Sequence, residues 1–92
     1  MSVVVYLSGH LKNHTGGETE VALDEDFESV AAVLESLWKR HPGLRDRILN
    51  EQGEIRRHVN VFIGSEDVKR LNGLKTEVDA NDIYIFNAVS GG

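Results

Sequence analysis

One stretch of this chain carries a helical period, and strand patterns lie on both sides of it. Phe27, Val30, Ala31, Leu34, Leu37 and Trp38 recur at spacings of three and four, which lays one apolar stripe along a helix. A single long helix among strands has one economical home, a layer over one face of a sheet. Asp26 stands where an N-cap belongs, and Asp24, Glu25 and Asp26 suit the positive end of the helix dipole. Lys39, Arg40 and His41 suit its negative end, and Pro42-Gly43 stops it.

The flanking segments read as strands. Val3 to Leu7 is β-branched and apolar. After a polar loop from Gly9 to Gly17, Thr19, Val21 and Leu23 alternate with Glu18, Glu20 and Ala22, as in a strand with one face buried. Leu44 to Leu49 predicts a short second helix with Leu44, Ile48 and Leu49 inward, and Glu51 to Glu54 a loop. Val59 to Ile63 is a third strand, Val68 marks a short edge strand, Asn72-Gly73 a turn, and Ile83 to Phe86 a final strand. The order is β-β-α-(α)-β-(β)-β in a single α+β domain, residues 1–92, with 87–92 as an extended tail.

Composition removes several function classes. The chain has 92 residues and no cysteine, which excludes disulfides, Cys-ligated metals and thiol nucleophiles. Fifteen acids against ten Lys and Arg give a net charge of −5, opposite to a nucleic-acid binder. No apolar run approaches the roughly 20 residues that span a bilayer. The start, Met1 to Tyr6, lacks a basic leader segment, so a cytoplasmic protein is expected. His10 and His14 have i,i+4 spacing, but their neighbours Gly9, Asn13, Gly16 and Gly17 favour a loop with solvated histidines, and no metal site is expected. Asp24, Glu25, Asp26 and Glu28 lack the glycine and glutamate spacing of a calcium loop. Neither a phosphate-cradling loop nor a nucleophile elbow occurs, so no catalytic residue is assigned.

The end of the chain is more informative. It reads Val89-Ser90-Gly91-Gly92, a few residues after the last strand. At an average glycine content of ~7%, two such residues by chance has odds of roughly one in two hundred. A frayed tail of small residues is the plain alternative.

The strand order, Asp82 before the last strand and the closing Gly-Gly resemble the ubiquitin-like sulfur carriers of the MoaD/ThiS family. The similarity runs along the whole chain and is most specific over its last twenty or so residues. Gly73 to Val78, Asp82 to Phe86 and Ala88 to Gly92 carry it. Within the family the chain is most similar to the longer, CysO-type carriers, through His14-Thr15-Gly16-Gly17, Val59-Asn60-Val61 and Glu66-Asp67-Val68. Asn81 and Asn87-Ala88 stand where MoaD-like members often have a glycine and a proline pair.

The resemblance implies a ubiquitin-like β-grasp: a mixed sheet, one main helix on one face and a flexible C-terminal tail. It implies a carrier without catalytic residues of its own. An E1-like enzyme spends ATP to adenylate the Gly92 carboxylate, and a sulfur nucleophile then leaves a thiocarboxylate. That group is nucleophilic at neutral pH, as a thiolate is. A downstream enzyme accepts the sulfur, for cysteine, molybdopterin or another product. The carrier itself is expected to be monomeric and to bind no cofactor. Glycines suit a tail that must thread a narrow channel, and residues 87–92 reach about 20 Å when extended.

Strand alternation also predicts a partner surface. It turns Val3, Val5, Leu7, Ile83 and Ile85 inward, with Val59, Val61 and Ile63. Tyr6, Phe62, Tyr84 and Phe86 then point outward, four of the six aromatic residues on one face, unless the segment Leu71 to Val78 folds over it. The resemblance adds that Phe86 matches a family position that touches the activating enzyme. Two other readings stay open: a protein modifier joined to lysines through Gly92, and a β-grasp binding module with no tail chemistry.

Overall fold

Apolar alternation in four strands and one helical stripe meet in a single core. The computed structural model describes residues 2–87. Five strands form one sheet: β1 (Ser2–Leu7), β2 (Glu20–Asp24), β3 (Val59–Ile63), β4 (Glu66–Asp67) and β5 (Asp82–Asn87). Their spatial order is β2-β1-β5-β3-β4. β1 and β5 run parallel and every other neighbour is antiparallel, so the sheet is mixed. Two helices, α1 (Val30–Arg40) and the single-turn α2 (Arg45–Ile48), supply the second layer.

The inward residues are those the alternation selects. Val3, Val5 and Leu7 of β1, Val59, Val61 and Ile63 of β3, and Ile83 and Ile85 of β5 are buried in one cluster. Val30, Val33, Leu34 and Leu37 of α1 join it, as do Leu44, Ile48 and Leu49. The helical stripe is therefore narrower than the sequence suggests. Val33 belongs to it, Ala31 and Trp38 are half-buried on its flank, and Phe27 packs on the core from outside the helix.

The start of α1 is a correction. Ser29, not Asp26, is the N-cap, and its Oγ accepts from the Ala32 N–H at 3.2 Å. Ser29 also bridges Glu77 in antiparallel fashion, and the Val30 N–H donates to the Thr76 carbonyl at 2.9 Å. These tertiary bonds fix where the helix begins, and the acids before it cannot reveal them. At the other end, Arg40 Nη1 donates to the Ala22 carbonyl at 2.6 Å, which ties α1 to β2.

Three smaller differences have local causes. Gly9–His14 forms 3-10 turns rather than open loop, because Leu11 swings into the core. Gly16 and Gly17 end this segment with φ of 68° and 98°, which a side chain would resist. Val68 follows the two-residue β4 instead of lying in it, buried at the head of a 3-10 turn capped by Asp67. Asn87 pairs with Val59 and is the last residue of β5, so the strand reaches one position into the segment expected to be tail.

Candidate partner-binding face

The register of the three central strands builds one aromatic row. Tyr6 faces Tyr84 across the parallel β1–β5 pair, and Tyr84 faces Phe62 across the antiparallel β5–β3 pair. The Tyr6 and Tyr84 rings stack with centroids 4.9 Å apart and planes 14° from parallel. Phe86 stands two positions along β5 and meets Phe62 on the diagonal, with centroids 5.5 Å apart and planes tilted by 37°. Such diagonal neighbours lie within reach of aromatic side chains. All four candidate residues thus share the sheet face away from α1.

The face is open. Tyr84 and Phe86 are 38% and 37% exposed, while Tyr6 and Phe62 are half-buried beneath their neighbours. The segment from Leu71 to Val78 does not cover them. Its bonds to Ser29 and Val30 hold it on the helix side, where Leu74 packs against the core. Beside Phe62 a hollow is lined by Ser65, Glu66, Asp67 and Arg70, so the aromatic row runs into a charged border.

Polar neighbours that an aromatic count leaves out complete the face. Asn60 lies directly opposite Phe86. Asp82 sits two positions before Tyr84; its hydrogen bond to the phenol, aided by desolvation and its negative charge, raises the Tyr84 pKa above the ordinary 10.0. The phenol therefore stays protonated and able to donate at physiological pH. The same alternation that turns Phe62 and Tyr84 to this face turns Asn60 and Asp82 to it, so the signal was present.

The remaining candidates are placed more briefly. Val89, Ser90, Gly91 and Gly92 lie outside the described residues. His10 and His14 fall in the 3-10 segment, where four steps of ~120° put them on different sides. Among the described residues no group of three or more His, Asp or Glu could hold a metal ion. No helix there is long and apolar enough to cross a membrane.

This chain matches the ThiS family over residues 5–92. It is 33% identical over 95 residues to the sulfur carrier protein CysO of Mycobacterium tuberculosis, covering 100% of both chains. It is 38% identical over 69 residues to small archaeal modifier protein 3 of Haloferax volcanii, covering 74% of each. Among solved structures it superposes on a chain of the BexX/CysO complex of Amycolatopsis orientalis with a TM-score of 0.85. There the sequences are 34% identical, and the match covers 98% of this chain and 99% of the other. A mixed five-stranded sheet with one main helix, shared with these relatives, is the ubiquitin-like β-grasp, and the chain belongs to the ThiS family.

Proposed function

We propose that this protein is a sulfur carrier, a substrate of enzymes rather than an enzyme. One observation carries the reading: the end-to-end match to a protein named as a sulfur carrier. The chemistry follows from the chain's last residues. An E1-like enzyme transfers AMP from ATP to the Gly92 carboxylate and releases pyrophosphate. This replaces a charged, unreactive group with an acyl-adenylate. A sulfur nucleophile displaces AMP, and Gly92 ends in a thiocarboxylate that a downstream enzyme consumes. ATP is consumed by the partner, and the carrier binds no cofactor. Val89, Ser90, Gly91 and Gly92 form the part that enters the partner's active site, while Tyr6, Phe62, Tyr84 and Phe86 dock on its surface. Aromatic residues are favoured anchors of such interfaces.

Intact-mass measurement of the protein from its native cells tests this reading. A fraction whose mass corresponds to one oxygen replaced by sulfur at the C-terminus is expected. Deleting Gly91 and Gly92 should abolish adenylation and leave the melting temperature nearly unchanged. A truncated protein that is still activated would overturn the carrier reading.

A second reading has its own support. The similarity to a small archaeal modifier protein favours conjugation through the same activated Gly92. Gly92 found in isopeptide linkage to lysines, with no free thiocarboxylate, would decide for the modifier.

A further inference from the structure

Charge is spread unevenly across this sheet. Residues 18–35 hold seven of the fifteen acids and no Lys or Arg. They include the edge strand β2 and the first half of α1. The opposite balance gathers where β5 ends. The turn into β3 carries Arg56, Arg57 and His58, and it leads straight to Val59, the partner of Asn87. Lys69 Nζ donates to the Arg56 and Arg57 carbonyls at 3.2 Å each, and Arg56 Nε donates to the Asp46 carbonyl at 2.8 Å. These bonds fix the backbone of the turn and hold the Arg56 guanidinium in place. On the other flank the Ser8 N–H donates to the Ile85 carbonyl at 3.0 Å, which sets the 3-10 segment with Lys12 beside the same end of β5.

These cations are not neutralised locally. Lys12 and Arg57 are exposed, and their side chains make no ion pair or hydrogen bond among the described residues. Beyond β1, Glu18 is engaged by His41 Nε2 at 3.2 Å, and Glu20 stands opposite Tyr6 on β2. β5 thus ends, at Asn87, with Arg56 and Arg57 on one side and Lys12 on the other.

We infer that this basic rim, formed by Lys12, Arg56 and Arg57 around the end of β5, docks on an acidic surface of the enzyme that takes the chain's end. The inference rests on the carrier reading above. It adds the chemistry of the partner's entrance and the means of orientation. An acidic entrance repels the β2 side of this protein and attracts the rim. The protein then arrives with its last strand foremost, before the aromatic face makes contact. Exposed ion pairs add little to affinity one by one, so the effect falls on the rate of productive encounter.

The test is steady-state activation by the adenylating enzyme of the same organism, at low and high ionic strength. Arg57→Glu should raise KM about threefold to tenfold at low salt, within the range that electrostatic steering commands, with kcat held. Lys12→Glu added to it should deepen the loss. High salt should close the gap, since screening shortens the field to about 8 Å or less. Lys75→Glu, the same charge change on the helix side, should stay within about twofold of the wild type. Equal losses in Arg57→Glu and Lys75→Glu would mean that net charge alone acts, and would overturn the rim. A fall in kcat at constant KM would overturn it too, by placing the cations at the reaction. Wild-type protein that is not activated at all removes the carrier reading. Normal wild-type activity with an unaffected Arg57→Glu removes the rim alone.

Discussion

Ile85 and Phe86 are neighbours in sequence and opposites in environment. Ile85 is 1% exposed beneath α1, and Phe86 is 37% exposed on the other face. Phe86→Ala should weaken binding to the activating enzyme by roughly 1–3 kcal/mol, as expected for an aromatic anchor. Its cost to stability should fall well short of the roughly 3–5 kcal/mol of losing a core phenylalanine. Ile85→Ala should cost the fold about 2–5 kcal/mol. Chemical denaturation and partner titration of both variants measure the contrast. The reverse pattern would mean a strand register shifted by one residue, and the partner face would have to be withdrawn. This contrast was legible because a period of two leaves no freedom once Ile83 and Ile85 are inside. The roles of Asn60 and Asp82 were less legible, since each depends on what stands across the sheet or beside it, not on its own type.

At the scale of elements, period and punctuation located the strands and the helix well. Boundaries set by tertiary contact escaped them. The acids at 24–26 resemble a helix start in every local respect, yet α1 begins at Val30 because Ser29 and Val30 are pinned by Glu77 and Thr76. Gly9 to Gly17 read as loop because its polar residues outnumber the one, Leu11, that anchors it. Leu34 tests the helix layer. It is 1% exposed, and Leu34→Ala should cost roughly 2–5 kcal/mol, a large share of a small domain's stability. Equilibrium unfolding in denaturant measures it, and a cost under about 0.5 kcal/mol would contradict the packing of α1 on the sheet.

For the whole molecule, the β-β-α-β order pointed to the fold, but the placement of β5 between β1 and β3 could be expected only through the family resemblance. Nothing in either strand's own residues says that Val4 lies beside Asp82. That central pairing closes nearly the full length of the chain, and both Ile83 and Ile85 enter the core only when it forms. It has a consequence for biosynthesis. The ribosome makes β1 first and β5 last of the five strands, so the sheet lacks its middle strand until β5 has emerged. A fragment ending at Asn81 should show no cooperative thermal transition by circular dichroism, and a sharp transition in that fragment would contradict this. Folding thereby waits on β5: a product stalled or cleaved before it has neither a stable domain nor the aromatic row that Tyr84 and Phe86 complete.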